Sequence, residues 1–181
     1  ITGDFHFSAD LKKLISSSGP GVAQVNFRTV RDDWGKTYLI SWQRGVDNAT
    51  SRLLVQKIDP KVIPVETTLK TVDIAADANV TLRIIREAVI LKMYSQLNGG
   101  DYELLTTTPT TEALRPSIEL ISSVLNRSIQ VEVDNFVLSC DTTIVNPPTP
   151  VACAPAAFNE AFADATLDPK LTKFGTGTIS I

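Results

Sequence analysis

Histidine and cysteine are scarce in this chain, and their scarcity restricts the chemistry that it can perform. One histidine, His6, and two cysteines occur among 181 residues. A Ser-His-Asp triad would need His6 itself, and a metal site built from several histidines is excluded. Glycine-rich phosphate loops, the Gly-x-Ser-x-Gly elbow, His-Glu-x-x-His and Cys-x-x-Cys are also missing. We therefore predict no catalytic residues, no metal and no cofactor, and a protein that is not an enzyme.

The chain also lacks a long apolar run and an excess of basic residues. The longest candidate, residues 80–97, contains four charged side chains, whereas a membrane span needs about 20 apolar residues. We expect no membrane insertion. Lys and Arg number 17 against 20 Asp and Glu, for a net charge of −3, which is unlike a generally basic nucleic-acid binder. The first residue is Ile1, which we take as the start of a processed or trimmed form.

The two cysteines, Cys140 and Cys153, bracket a loop that three prolines stiffen. A disulfide between them would stabilise the fold by roughly 3 kcal/mol through loop closure. Two free thiols in a reducing compartment are the alternative. Three Asn-x-Ser/Thr triplets, at Asn48, Asn79 and Asn126, matter only if the protein is secreted from a glycosylating cell.

Strict alternation of apolar and polar residues predicts several β-strands. In the hairpin around Gly35, for example, Phe27, Ile40 and Trp42 fall on one face and Arg28 and Gln43 on the other. The strands predicted in this way are residues 3–11, 22–28, 37–44, 51–58, 65–74 and 128–138.

A polar sheet face is the candidate binding surface. It would carry Arg28, Gln43, Lys57 and Lys70 if the strands pair consecutively. Such a face is either simply hydrated or contacts RNA phosphates, for which a few positioned cations suffice.

Helical spacing of apolar residues predicts three helices. The first covers residues 77–100, where Leu82, Ile85, Val89 and Met93 form a stripe, although β-branched residues leave a strand as the alternative for residues 80–85. The second covers residues 112–126 with Pro116 near its start, and a short third covers residues 154–165. Strands followed by helices indicate an α+β fold, an antiparallel meander with helices packed on one face.

Residues 1–126 are predicted to hold the sheet and the two main helices. Residues 127–181 are predicted to be a C-terminal extension comprising a strand, the proline-rich cysteine loop, a short helix and an extended tail. This extension either belongs to the same domain or reaches to a neighbouring subunit.

Residues 22–97 resemble the coat proteins of the single-stranded RNA bacteriophages. The likeness lies in the hairpin VAQVNFRTVRDDWGKTYLISWQRG and in TTLKTVDIAADANVTLRIIREAVILKMYSQL, which is similar to that family's last strand and first long helix. The resemblance implies a dimer that assembles into a shell around viral RNA, with interlocking helices over its outer face. It covers less than half of the chain.

The sequence as a whole predicts a non-enzymatic, self-assembling structural protein, namely a viral capsid protein that encloses RNA and resides in the virion. Strand edges that need partners and long apolar stripes support self-association. The first alternative is a secreted β-rich module, extracellular or on a cell surface, in a filament or adhesin. The second is an uncharacterised hydrolase.

Overall fold

The protein is a sandwich of two antiparallel β-sheets, seen in a computed structural model that describes residues 1, 3–16, 23–31, 35–45, 51–122, 129–140 and 158–160. The strands are β1 (Phe5–Ser16), β2 (Ala23–Arg31), β3 (Thr37–Arg44), β4 (Ser51–Ile58), β5 (Glu66–Ile74), β6 (Val80–Glu87), β7 (Ile90–Leu97), β8 (Tyr102–Pro109), β9 (Leu114–Ser122), β10 (Ile129–Cys140) and β11 (Phe158–Glu160). The six-stranded sheet has the order β11-β10-β1-β6-β7-β8, and the five-stranded sheet has the order β5-β4-β3-β2-β9.

The predicted α+β fold is wrong, because the described residues contain no helix. The first predicted helix is the β6–β7 hairpin, which turns at Ala88 and Val89. Leu82 and Met93 are buried as expected, but Val89 is exposed at the turn, so the apolar stripe does not lie on one helical face. The strand alternative for residues 80–85 is the correct one. Within the described residues, no helix is long and apolar enough to cross a membrane.

The second predicted helix is strand β9, and Pro116 has a different role from the one predicted. β9 is the outer strand of its sheet and pairs only with β2, where Pro116 lies opposite Thr29. Proline is tolerated in an edge strand because one side of the strand donates no ladder hydrogen bonds. Of the third predicted helix, residues 158–160 are the short strand β11, and the remainder lies outside the described residues.

The core lies between the two sheets and is built from alternate residues of the central strands. In β2 the inward residues include Val25 and Phe27, and in β3 they include Ile40 and Trp42, all completely buried. These are the packing side chains that alternation predicts. The buried Trp42 indole Nε1–H donates a 2.7 Å hydrogen bond to Ser51 Oγ, which satisfies its polar atom.

Phe7 of β1 joins the two sheets at the centre of the core. Its ring stacks on Phe27 of the other sheet with centroids 4.0 Å apart and an interplanar angle of 5°. A second contact, edge-to-face at 5.4 Å, reaches Phe136 of β10. Aromatic contacts of this kind add to the stabilisation that burial alone supplies. Phe7 therefore holds strands from both sheets in one packing unit.

Both sheets depend on pairings between residues far apart in sequence. β1 lies between β10 and β6, and its residue Phe5 is opposite Cys140 of β10. Cys140 is disulfide-bonded, but Cys153 lies outside the described residues, so their predicted pairing stays a prediction. The predicted boundary between residues 126 and 127 falls in the stretch 123–128, which also lies outside them.

Candidate functional site

The outer face of the five-stranded sheet, turned away from the core, carries an array of polar side chains. Alternation along β2, β3, β4 and β9 places them there, since their strand neighbours point into the core. We call this array the polar face. It consists of Gln24, Asn26 and Arg28 of β2, Ser41 and Gln43 of β3, Arg52 and Gln56 of β4, and Ser117 and Glu119 of β9.

One row across three neighbouring strands combines a carboxylate, an amide and a hydroxyl. Glu119 lies opposite Asn26, and Asn26 lies opposite Ser41. Side chains directly opposite each other have Cβ atoms about 4.5–5.5 Å apart. Asn26 is therefore a direct neighbour of both Glu119 and Ser41, which lie two strands apart.

Glu119 is held in place by two donors from β2. Arg28 Nη1 lies 2.9 Å from Glu119 Oε2, and Asn26 Nδ2 donates to the same oxygen at 3.4 Å. Arg28 Nε also donates to Ser117 Oγ at 3.3 Å, which fixes the guanidinium. Within the described residues, Glu119 Oε1 accepts no hydrogen bond, and the side chain is 34% exposed. The carboxylate is thus held through Oε2, while Oε1 has no hydrogen-bond partner within the described residues.

Two buried polar atoms beside Glu119 have no hydrogen-bond partner. They are Asn26 Oδ1 and Ser41 Oγ, in residues that are 5% and 0% exposed. Buried polar groups in native proteins are nearly always paired, because an unpaired one costs about 1–3 kcal/mol. Both atoms lie on adjacent strands, in the row that also holds Glu119.

Two of the four residues predicted to share a polar face do share it. Arg28 and Gln43 lie on the outer face, as their alternation with Phe27 and Trp42 predicts. Lys57 and Lys70 do not, because they lie opposite Tyr38 and Val55, whose side chains are in the core cluster. Lys57 pairs with Asp59 at 3.8 Å, and Lys70 reaches Glu103 of the other sheet at 2.7 Å. Their predicted contact with nucleic acid stays a prediction.

The site predicted from the sequence did not include Asn26, Ser41 and Glu119. Glu119 was placed on a helix, and no local pattern shows that β9 pairs with β2 about ninety residues earlier. The one readable signal was the alternation Ser117, Glu119, Ile121, which would have put all three on one face of a strand. No group of three or more His, Cys, Asp or Glu in the described part of the chain is arranged to hold a metal ion.

His6 lies on β1 in the other sheet, far from the polar face in the strand order, and its environment makes stability depend on pH. Burial, and then the nearby positive charge of Arg83, lower the pKa of the imidazole from its ordinary 6.5. The unfolded chain therefore binds more protons than the folded one between the folded pKa and 6.5. The contribution of neutral His6 to the free energy of unfolding is complete above pH 6.5. It is lost as the pH falls towards the pKa of His6 in the folded protein.

Substituting His6→Gln should flatten this part of the stability profile. We expect the free energy of unfolding of the natural protein to fall more between about pH 7.5 and pH 5 than that of the variant. Urea denaturation at several pH values measures both. Parallel profiles would show that His6 has the same proton affinity in the folded and unfolded chains.

Solved structures with a similar fold include the following two. One is a functionally unknown protein from Saccharomyces cerevisiae, with a TM-score of 0.55, 12% identity, and coverage of 78% of this chain and 71% of that one. The other is scytalido-glutamic peptidase with a transition state analog inhibitor, with a TM-score of 0.53, 13% identity, and coverage of 81% and 80%. No protein-family model and no curated protein matches the chain.

These similarities overturn the prediction of a non-enzymatic capsid protein. The similar structures are a protein of unknown function and a peptidase, and neither gives support for a capsid. The physical reason for the error is the same as for the fold, because the resemblance to coat proteins rested on a strand followed by a long helix at residues 65–97. That region is three strands, β5, β6 and β7. At 12% and 13% identity the shared property is the fold. RNA binding and self-association stay predictions.

Proposed function

We propose that the protein is a hydrolase that cleaves peptide bonds at the polar face, with Glu119 as its catalytic residue. The observation that carries the proposal is the row Glu119, Asn26 and Ser41, in which an oriented carboxylate lies beside two buried, unpaired polar atoms. The peptidase that shares the fold supports this choice of reaction.

The three groups supply what amide hydrolysis requires. A water molecule attacks the scissile carbonyl carbon while Glu119 accepts its proton, and Asn26 Oδ1 orients that water by accepting its other hydrogen. The Ser41 hydroxyl donates a hydrogen bond to the oxyanion that forms on the carbonyl oxygen. Both this contact and that of Asn26 require the side chains that shield the two residues in the free protein to move aside on binding. The protonated Glu119 then returns its proton to the departing nitrogen as the C–N bond breaks. The products are a carboxylic acid and an amine, and Glu119 ends as it began.

Arg28 has a positioning role in this scheme. Its ion pair with Glu119 and its hydrogen bond to Ser117 fix the carboxylate above the row without occupying Oε1. A bidentate or forked guanidinium holds a carboxylate more rigidly than an ammonium group does. The Glu119 carboxylate is therefore oriented before substrate arrives, which favours effective proton transfer.

The test is incubation of the purified protein with a mixture of unstructured peptides in water enriched in oxygen-18, from about pH 3 to pH 8. We expect new carboxyl termini that carry one heavy oxygen, detected by mass spectrometry. A preparation of Glu119→Gln made in the same way controls for contaminating peptidases. Equal cleavage by the two preparations, or none by either at any pH, would refute the assignment.

A further inference from the structure

On the polar face, Arg52 lies in the row next to that of Glu119, Asn26 and Ser41. Two glutamine side chains hold its guanidinium in place. Arg52 lies opposite Gln43, which lies opposite Gln24. Arg52 Nε donates to Gln43 Oε1 at 3.0 Å, and Gln43 Nε2 donates to Gln24 Oε1 at 3.1 Å. This relay turns the guanidinium towards the middle of the polar face. Gln43 thus orients a cation, and its predicted contact with RNA stays a prediction.

Arg52 forms no ion pair with the carboxylate that lies across from it in the sheet. Asp73 of β5 lies directly opposite Arg52 across the strands, yet the two form no ion pair. Within the described part of the sheet, Arg52 has no carboxylate within 4.0 Å, whereas Arg28 is paired with Glu119. The two Nη nitrogens of Arg52 thus remain as a fork of donors that matches a carboxylate.

We propose that Arg52 forms a carboxylate-binding subsite and that the substrates are acidic peptides. The inference rests on the proposed hydrolysis at Glu119. The two positions are three strand spacings apart, and two residues apart along the strand, which corresponds to about 16 Å. An extended peptide spans about 3.3–3.6 Å per residue, so the acidic residue lies about five residues from the bond that is cleaved.

Binding and cleavage are tested separately. Fluorescence anisotropy with the Glu119→Gln protein measures affinity for labelled peptides that carry one glutamate, or one glutamine in its place. Arg52→Gln is expected to weaken binding of the glutamate peptide by about 10–100-fold and to leave the glutamine peptide unchanged. Lys61→Gln is the matched control, since it also removes one positive charge but lies on the exposed β4–β5 loop. Arg52→Lys, which keeps the charge and loses the fork, should weaken binding less.

The outcomes separate the two proposals. In one outcome, the protein prefers the glutamate peptide only when Arg52 is present, and the natural protein cleaves no peptide. This result would support the subsite and refute hydrolysis. Cleavage that is indifferent to Arg52 and to the acidic residue would support hydrolysis and refute the subsite. Equal effects of the Arg52 and Lys61 substitutions would also refute the subsite, because net charge alone would then explain binding.

With cleavable peptides, moving the glutamate along the sequence gives a distance measurement. We expect kcat/KM to be highest when the glutamate is about five residues from the scissile bond, and to fall when it is three or seven residues away. The preference should disappear in Arg52→Gln while the cleavage position stays the same. A preference that persists in this variant would overturn the assignment to Arg52.

Discussion

Replacing Glu119 with glutamine is expected to lower kcat/KM for peptide cleavage by about 10²–10⁴-fold. The substitution removes the group that accepts a proton from water and returns it to the leaving nitrogen. It keeps an oxygen that can accept from Arg28 and Asn26, so the geometry of the row is preserved. The measurement is initial rates of cleavage of one defined peptide, with circular dichroism and urea denaturation to confirm that the variant is folded.

Glu132→Gln is the matched control for this experiment. Glu132 also lies on a strand and also pairs with a cation, Lys13 at 2.7 Å, but on β10 of the other sheet. Its side chain is exposed to a similar degree, 43% against 34% for Glu119. We expect its cleavage rate to equal that of the natural protein. A loss of activity in both variants would show that removing any one negative charge lowers the rate, and that the carboxylate of Glu119 has no specific role.

Replacing Phe7 with alanine is expected to reduce the free energy of unfolding by about 3–5 kcal/mol. Phe7 is completely buried, and its removal deletes the stack on Phe27 and leaves a cavity between the sheets. The loss is a large fraction of the 5–15 kcal/mol that typically separates folded from unfolded proteins. Urea denaturation with comparison of the midpoint and slope measures it.

Two further substitutions separate packing from aromatic contact at this position. Phe7→Leu should cost less than Phe7→Ala, because leucine fills part of the volume and loses only the ring contacts. Leu104→Ala, at a side chain of the β8 strand that is 45% exposed, should change stability by less than about 1 kcal/mol. A cost for Phe7→Ala no larger than that for Leu104→Ala would show that the sheets do not depend on this contact.

The sequence predicts most strands correctly where alternation is uninterrupted, and fails where a tight turn shifts its phase. In β6 the buried positions are Leu82 and Ile84, whereas after the turn in β7 they are Leu91 and Met93. The buried residues have even numbers before the two-residue turn and odd numbers after it. The alternation of buried and exposed residues is therefore interrupted at the turn. The combined spacing then imitates a helical stripe, which is why the β6–β7 hairpin was taken for a helix.

The candidate site was only partly predictable for a related reason. Alternation alone puts Arg28 and Gln43 on the polar face, because both lie in strands that pair with their sequence neighbours. Glu119 joins them only through the pairing of β9 with β2, which depends on burial of distant residues and not on a local signal. The ion pair of Lys70 with Glu103 likewise follows from a contact between the two sheets, which one strand cannot reveal, whereas Lys57 pairs with Asp59 two residues further along its own chain.

The position of β1 between β6 and β10 also determines the order in which the chain can fold. Phe5 pairs with Cys140, a separation of 140 − 5 = 135 residues. At roughly 5–20 residues per second, a ribosome delivers that partner on the order of 10 s after Phe5 itself. Until then β1 lacks one of its two neighbours, and the strand edge that pairs with β10 has no partner. We therefore expect the nascent protein to need protection by a chaperone until strand β10 has left the ribosome, and to complete its six-stranded sheet only after that.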